Sequence, residues 1–421
     1  MTTPGSALAA SNNAGATAGS GASDGVAVAC KAVRVGMFFD GTGNSRDHVG
    51  TSHIDSWHSN VDILERLYKD TDQLEWAQVD GALMQSKFGS AYIRGVGIEE
   101  GGGNQQWGIP RGLAWGTGPE GVAARTREGL ETARQIIRQK GSGMELCQVM
   151  LDAFGFSRGA CVARDFANKV RAGQVEFAGV TAEVKFMGIW DTVSSIGNAG
   201  NMGNWQNENV RINTQGTADY IVHITAMDEL RENFPLTLAM GGKRIEMVGV
   251  HSDIGGGYAP GTNSDVVSYS GNQPFFDTIA DKWGLTWGEW ENHFGGRTRQ
   301  TNEVNGDRLS EMFQTGPMAA VHAVSFHWQA EHGLQFVALK LMHDQALEKD
   351  VPFEDWSSNI EGISVSFSGP LQSYYEQIKD APHRSDDATE LAIRRRYSHM
   401  SVGNSIGMGP EPRGTRRIST M

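Results

Sequence analysis

An apolar run that passes through a glycine-flanked serine into a helix limits the possible folds of this chain more than any other pattern. Residues 147–154 are apolar enough for a buried strand, and residues 158–170 have the periodicity of a helix. The motif Gly155-Phe156-Ser157-Arg158-Gly159 joins them. A sharp turn from strand to helix with this motif is typical of a nucleophile elbow. The sequence therefore predicts that Ser157 lies at the carboxyl end of a central strand.

Further apolar runs alternate with helical stretches along the chain. Helices are predicted from Asn60, as the N-cap, and after Pro119, with Gly141 as the C-terminal stop. Strands separated by helices need crossover connections, so a parallel sheet with both faces covered is expected. We therefore predict an α/β-hydrolase-like fold with a mostly parallel sheet, helices on both faces and an irregular C-terminal insertion. The predicted strands are residues 33–39, 147–154, 184–190, 220–224 and 245–250.

Two strand ends supply candidate partners for Ser157. A serine at its ordinary pKa is a weak nucleophile and needs a base that is itself oriented by an acid. In the predicted fold, the acid and then the histidine follow the serine, each at the end of a strand. Asp191 follows residues 184–190, and His251 follows residues 245–250. The candidate catalytic residues are therefore Ser157 as nucleophile, Asp191 as acid and His251 as base.

Other residues could replace these partners. His399 lies late in the chain, where many hydrolases carry the base, and Asp253 or Asp228 could serve as the acid. Asp253 also suits a role in ordering the loop that His251 opens, and Asp228 lies in a segment typical of ion pairs on a helix. The alternative catalytic residues are therefore His399 and Asp253, with Asp228 as a further candidate acid.

The loop Asp40-Gly41-Thr42-Gly43-Asn44 ends the first predicted strand, where an oxyanion loop is expected. We predict that the backbone N–H of Arg158 and an N–H near Gly41 or Thr42 stabilise the oxyanion, with Gly41 as the first choice. An Asp-Gly-Thr in this place is also found in aspartyl-phosphate phosphatases, in which Asp40 would be the nucleophile and Mg²⁺ the cofactor. Those enzymes generally have a second Asp where this chain has Thr42, so we predict no metal and no cofactor.

Composition excludes several classes of protein. The 421 residues include 36 Lys and Arg against 49 Asp and Glu, a formal net charge of −13. Because nucleic-acid-binding proteins need a basic surface, we expect no nucleic-acid partner. Hydrophobic residues make up 39% of the chain, enough to exclude disorder of the whole chain. Cys30, Cys147 and Cys161 form no Cys-x-x-Cys pattern, so we expect no disulfide framework and folding in a reducing cytosol.

The chain is expected to have three parts. Residues 1–30 are rich in Ala, Gly and Ser and predict a disordered leader. Residues 31–400 are expected to form the catalytic domain, in which residues 260–330 are an insertion that could form a lid or contact lipid. Residues 401–421 are a basic tail that we expect to be a solvated end, with contact to anionic lipid or a partner as the alternative. The sequence has no apolar run long enough for a transmembrane helix and no ordinary signal peptide, so membrane contact is expected to be peripheral.

Six motifs in order resemble the catalytic domain of type VI secretion phospholipase effectors, over roughly residues 33–260 of this chain. The resemblance implies phospholipase A activity on membrane glycerophospholipids, with Ser157 as nucleophile, Asp191 as acid and His251 as base. The motifs are Phe39 to Asn44, the helix start at Asn60-Val61, Tyr92 to Gly97, Gly155 to Gly159, Trp190 to Val193 and Gly249 to Gly257.

The same resemblance implies partners and a route of delivery. The protein would be made in the bacterial cytoplasm, leave without a signal peptide together with a secretion spike or tube protein, and be neutralised by a cognate immunity protein. It would act on the membrane of the target cell from the periplasm. One departure from the family pattern is Ile98-Glu99-Glu100, where a small hydroxyl residue is more usual.

Two further interpretations stay open at this point. The chain could be a serine carboxylesterase or lipase with other ester substrates, or a hydrolase-fold module that binds a partner without catalysis. An aromatic stripe at helical spacing could enter a membrane interface, although such a stripe more often belongs to a core. The stripe consists of Trp283, Trp287, Trp290 and Phe294.

Overall fold

The computed structural model describes most of the predicted catalytic domain and parts of the C-terminal tail. For residues 263–269 and 323–329 the backbone alone is described. The predicted leader, most of the predicted insertion and its aromatic stripe lie outside the described residues. The described ranges are 30–49, 57–79, 81–98, 116–196, 209–269, 282, 323–380, 386–402, 409, 411 and 415–420.

A seven-stranded sheet forms the centre of the molecule, with the strand order β10-β8-β7-β4-β1-β3-β2. All neighbouring strands pair in parallel except β2 and β3, which form an antiparallel hairpin at one edge. The strands are β1 (Lys31–Phe39), β2 (Thr71–Val79), β3 (Ala82–Ile93), β4 (Leu146–Phe156), β7 (Glu183–Trp190), β8 (Tyr220–Ala226) and β10 (Lys243–Met247).

Helices cover both faces of this sheet. One face packs against α2 (Val122–Gly141) and α3 (Arg158–Arg171), and alternate residues of β1 such as Val35 and Met37 point into that layer. Phe38 points to the opposite face, where its ring stacks on Phe154 with centroids 4.7 Å apart. Burial on both faces explains why the central strands are almost continuously apolar. The second face carries α1 (Asn60–Glu65), α4 (His251–Gly255), α5 (Leu334–Leu347), α6 (Pro370–Ile378) and α7 (Asp387–Tyr397).

The remaining strands form separate two-stranded sheets. β9 pairs in parallel with β15 at the end of the chain, whereas the other small pairs are antiparallel. Their bounds are β5 (Glu176–Phe177), β6 (Val180–Thr181), β9 (Leu236–Leu238), β11 (Asn263–Tyr269), β12 (Ala323–Gln329), β13 (Asn359–Ile360), β14 (Ile363–Ser364) and β15 (Ile418–Thr420). In the described part of the chain, no helix combines the length and the apolarity that crossing a membrane requires.

The structure differs from the sequence-based expectation at the start of α1. The N-cap is Ser59, whose Oγ accepts a hydrogen bond from the backbone N–H of Asp62 at 3.1 Å. Asn60 is the first helical residue, and its side-chain amide donates to the carbonyls of Ile254 and Gln335, both at 2.9 Å. Asn60 therefore joins α1 to α4 and α5 and does not cap its own helix.

The cysteines also differ from the expectation of free thiols. A disulfide joins Cys30 and Cys147, whose Cα atoms are 5.8 Å apart, and Cys161 is a buried free thiol. The bridge links the start of β1 to β4, two strands that pair in parallel from Lys31 and Leu146 onward. The expectation failed because the two cysteines lie 117 residues apart, and only the pairing of the strands brings them together.

The described part of the basic tail packs against the domain and is not a solvated end. Arg417 forms an ion pair with Glu411 at 3.0 Å, and the Arg416 side chain is 7% exposed. Upstream of the tail, Arg394 pairs with Asp228 at 3.1 Å. Arg416 and Arg394 lie beside Asp191 and Asp228, acidic partners from distant parts of the chain that local charge patterning does not reveal.

Candidate functional site

Ser157 occupies a strained turn between β4 and α3. Its backbone has φ 57° and ψ −123°, a conformation that non-glycine residues rarely adopt. Glycines on either side make the turn possible. A Cβ on Gly155 would lie 2.4 Å from the carbonyl oxygen of Gly159, and a Cβ on Gly159 would lie 2.2 Å from that of Asp40. The motif therefore builds the sharp elbow that the sequence predicts.

Asp191 lies beside the elbow because its strand is the neighbour of β4. Phe156 of β4 pairs with Trp190 of β7. Ser157 and Asp191 are the next residues of the two chain segments, so they leave the sheet side by side. The backbone N–H of Ser157 donates to the Trp190 carbonyl at 3.1 Å. Asp191 is fully buried and has φ 38°. Two adjacent strands thus end in residues with strained backbones at one edge of the sheet.

His251 opens α4 and forms a hydrogen bond with Asp191. Its Nδ1 and the Asp191 Oδ2 are 2.6 Å apart. The ring of Phe156, the residue before Ser157, lies beside the imidazole with centroids 4.5 Å apart. The structure thus brings the predicted acid and base together, and it places the base against the residue that precedes the predicted nucleophile. An acid on Nδ1 leaves Nε2 as the nitrogen that can take a proton.

Burial and charge set the protonation of this pair. Burial lowers the pKa of His251 below its ordinary value, although the Asp191 carboxylate opposes this. Burial alone would raise the pKa of Asp191, but the Arg416 guanidinium and His251 outweigh it and hold that pKa well below its usual range. At neutral pH the imidazole is therefore neutral and the carboxylate ionised, as a general base and its orienting acid require.

Arg416 is a residue of the site that no sequence pattern singles out. Its Nη1 donates to the Asp191 Oδ1 at 2.7 Å and its Nη2 to the Oδ2 at 2.8 Å. Glu229 is a second such residue, and its Oε2 accepts from the backbone N–H of His251 at 3.1 Å. Burial would raise the pKa of Glu229, yet Arg231 and the other nearby cations lower it to about 2.

The predicted oxyanion loop lies against the elbow, but the N–H of Gly41 is already hydrogen-bonded. The Gly41 N–H donates to the Asp40 Oδ1 at 2.7 Å, so the prediction of Gly41 as a donor does not fit the structure. The Thr42 N–H has no acceptor among the described residues. Arg158 begins α3, whose N-terminal end attracts negative charge, and its Nε donates to the Thr42 Oγ1 at 2.7 Å. Thr42 and Arg158 are therefore neighbours beside Ser157.

The alternative catalytic residues form a separate pair. The His399 Nδ1 and Asp253 Oδ1 are 2.6 Å apart, and the ring of Tyr258 stacks on that of His399 at 3.9 Å between centroids. The Asp253 Oδ2 also accepts from the backbone N–H groups of Val250 and His399, at 2.9 and 3.0 Å. This pair joins the start of α4 to the segment after α7 and, within the described residues, forms no hydrogen bond with Asp191, so its geometry suits an anchor for the helix of His251.

Asp228 and Asp40 likewise have structural surroundings. Asp228 accepts from the Gly249 N–H at 2.9 Å as well as from Arg394. Asp40 accepts from Ser59 and Tyr92 as well as from Gly41. Within the described ranges, no three side chains of His, Cys, Asp or Glu lie close enough together to hold a metal ion.

The fold and the site define a protein of the α/β-hydrolase class. Residues 168–270 match the family model described as "T6SS, Phospholipase effector Tle1-like, catalytic domain". This range contains Asp191 and His251. The sequence-based resemblance to type VI secretion phospholipase effectors is thereby confirmed over residues 168–270.

A solved structure supports the same fold. The structure described as "Structure of the Tle1 effector bound to the VgrG spike from the Type 6 secretion system" matches with a TM-score of 0.64 and 22% identity, over 93% of this chain and 94% of that one. A crystal structure of an uncharacterized protein from Pseudomonas aeruginosa matches with a TM-score of 0.45 and 18% identity, over 87% of this chain and 53% of that one. No curated protein matches the sequence. The similarity to the Tle1 effector structure confirms the predicted hydrolase-like fold.

Proposed function

We propose that this protein is a type VI secretion phospholipase that hydrolyses acyl esters of membrane glycerophospholipids through Ser157. The observation that carries the proposal is the hydrogen bond between Asp191 and His251, 2.6 Å long, beside the strained serine of the elbow. A buried, oriented imidazole next to a serine is the arrangement that nucleophilic ester hydrolysis requires. The matching family model adds the phospholipid as the substrate class.

In the first half of the reaction, the His251 Nε2 takes the proton of the Ser157 hydroxyl as its oxygen attacks the acyl carbonyl. The resulting oxyanion accepts hydrogen bonds from the backbone N–H groups of Arg158 and Thr42. The imidazolium, stabilised by Asp191, then protonates the departing alcohol oxygen, and a lysophospholipid leaves. An acyl ester remains on Ser157.

In the second half, His251 takes a proton from water, and the hydroxide attacks the acyl ester on Ser157. The same two N–H groups stabilise the second oxyanion. The imidazolium returns its proton to the serine oxygen as the acyl–oxygen bond breaks, and a fatty acid is released. Because Asp191 stays ionised throughout, its role is to hold the imidazole in one tautomer and orientation.

Delivery and partners extend this proposal. The fold is similar to that of an effector whose structure is described as bound to the VgrG spike, which supports a secretion spike protein as the carrier. A cognate immunity protein and action from the periplasm follow from the family alone. The Cys30–Cys147 disulfide supports exposure to an oxidising compartment. The protein would contact the membrane peripherally.

The test is product analysis on vesicles of defined phosphatidylglycerol and phosphatidylethanolamine, before and after substitution of Ser157. We expect fatty acid and lysophospholipid from the wild type. Ser157→Ala should lower the rate at least about 10³-fold without unfolding the protein. Ser142→Ala, at an exposed serine after α2, is the control and should retain full activity. An active Ser157→Ala variant would overturn the assignment of the nucleophile.

A fluorophosphonate probe separates the remaining interpretations. A catalytic serine labels covalently at Ser157, whereas a module that only binds a partner does not label. A wild type that labels but leaves phospholipid intact would be an esterase for other substrates. Either of those outcomes would refute the phospholipase proposal.

A further inference from the structure

The end of the chain reaches the catalytic acid. Arg416 donates from Nη1 and Nη2 to the two carboxylate oxygens of Asp191, at 2.7 and 2.8 Å. Its Nε donates to the Phe234 carbonyl at 2.7 Å. The arginine side chain is 7% exposed and the aspartate is fully buried. Paired bonds from a planar guanidinium fix the orientation of a carboxylate as well as its charge.

Several backbone contacts hold this arginine in place. The Glu411 N–H donates to the Leu230 carbonyl at 2.7 Å, and the Leu236 N–H donates to the Arg417 carbonyl at 2.9 Å. β15, which begins two residues after Arg416, pairs in parallel with β9. Because the strand that follows Arg416 is paired with β9, the backbone that carries the guanidinium has a fixed position beside Asp191.

All four bonds to the Asp191 carboxylate determine which way it faces. The Oδ1 accepts from the Ala226 N–H at 2.9 Å and from Arg416. The Oδ2 accepts from Arg416 and faces the His251 Nδ1. Without the guanidinium, one backbone bond and the imidazole itself would be left to orient the group. Asp191, which must orient the His251 imidazole, would then itself be poorly oriented.

We propose that Arg416 is a positioning residue for hydrolysis, and that the C-terminal strand completes the active site by locking the carboxylate of Asp191 toward His251. The inference rests on the proposed function, since it assigns a role in the reaction of Ser157. It predicts that an arginine far from the substrate controls the rate of the chemical step with little effect on substrate binding.

The charge of Arg416 has a separate consequence for pH dependence. Of the charged groups around the His251 imidazole, Asp191 and Glu229 favour its protonation and Arg231 opposes it. Arg416 is bonded to the same carboxylate oxygen that the imidazole contacts, so its positive charge opposes protonation as well. Removing the positive charge at position 416 therefore raises the pKa of His251. Since the base must be neutral, the acid limb of kcat/KM moves to higher pH.

The experiment compares Arg416→Met and Arg416→Lys with wild type by kcat, KM and pH profile on phospholipid vesicles. Arg417→Met is the matched control, since Arg417 is the next residue and pairs with Glu411. We expect Arg416→Met to lower kcat by roughly 10 to 100-fold, as small displacements of catalytic groups do, with little change in KM. Its acid limb should move to higher pH. Arg416→Lys should lower kcat as well but keep the wild-type acid limb, because it keeps the charge and loses the paired geometry.

The outcomes separate this inference from the proposed function. Wild-type kcat and pH profile in Arg416→Lys and Arg416→Met, or a higher kcat in Arg416→Met, would overturn the positioning role. An equal loss in Arg417→Met would assign the effect to the strand and would also overturn it. If Arg416→Met does not fold, the kcat of Arg416→Lys decides alone. Phospholipid hydrolysis that survives in Ser157→Ala would instead refute the proposed function.

Discussion

Replacing Asp40 by Asn should stabilise the protein at neutral pH and leave most of its activity. Asp40 is buried at the start of the predicted oxyanion loop. It accepts hydrogen bonds from the Gly41 N–H, the Ser59 Oγ and the Tyr92 Oη, at 2.7, 2.8 and 2.5 Å. Burial raises its pKa from 3.8 to about 6, and the bonds from Tyr92, Ser59 and Gly41 only partly oppose this. The ionised carboxylate is therefore a source of instability at pH 7.

The shift in pKa gives the size and the sign of the effect. The folded-state pKa of Asp40 lies above its unfolded value, so its contribution is fully present below about pH 4 and is lost as pH rises through about 6. A shift of this size corresponds to about 3 kcal/mol. Because Asn has no proton to lose, the variant keeps its stability as the pH rises. The difference in unfolding free energy between variant and wild type should grow from near zero at pH 4 to as much as about 3 kcal/mol at pH 8.

Urea unfolding at a series of pH values measures this difference. Asp47→Asn, at an exposed aspartate in the following turn, is the control and should change stability by less than about 0.5 kcal/mol at every pH. A pH-independent difference for Asp40→Asn, or a less stable variant at pH 8, would refute the reasoning. Phospholipid hydrolysis should fall by less than about tenfold, since hydroxyl partners can reorient toward the amide. Abolished activity together with a magnesium requirement would instead favour the aspartyl-phosphate mechanism.

Three further variants test the catalytic base and the disulfide. His251→Ala should lower hydrolysis at least about 10³-fold. His399→Ala should retain more activity, because His399 pairs with Asp253 and not with Asp191. A larger loss in His399→Ala than in His251→Ala would exchange the roles of the two histidines. Cys147→Ser should lower the unfolding free energy by as much as about 4 to 5 kcal/mol, given the long loop that the bridge closes. Unfolding with and without dithiothreitol measures this, and equal wild-type stability in both conditions would contradict it.

The pairing of Asp191 with His251 was predictable from sequence because its causes are local. Asp191 directly follows β7, which is buried along almost its whole length, and His251 follows the edge strand β10 after a short turn. The apolar residues of both strands are visible in the sequence. The carboxyl ends of parallel strands meet at one edge of the sheet, so strand ends alone bring the two side chains together. The hairpin of β2 and β3 was missed for the opposite reason. β2 lies at the sheet edge, where exposed residues such as Trp76 remove the apolar signal.

Arg416 and the engagement of the Gly41 N–H could not be predicted, because each depends on contacts that sequence spacing does not encode. Arg416 meets Asp191 across 225 residues, and in the sequence it is one basic residue among several near the end of the chain. Gly41 fits the loop by position, yet the carboxylate of the preceding residue captures its N–H. A motif thus specifies where a chemical group is placed, whereas the partners that hold it are determined by packing. A variant at Arg416 changes a partner and keeps the motifs, so it tests the second kind of determinant separately from the first.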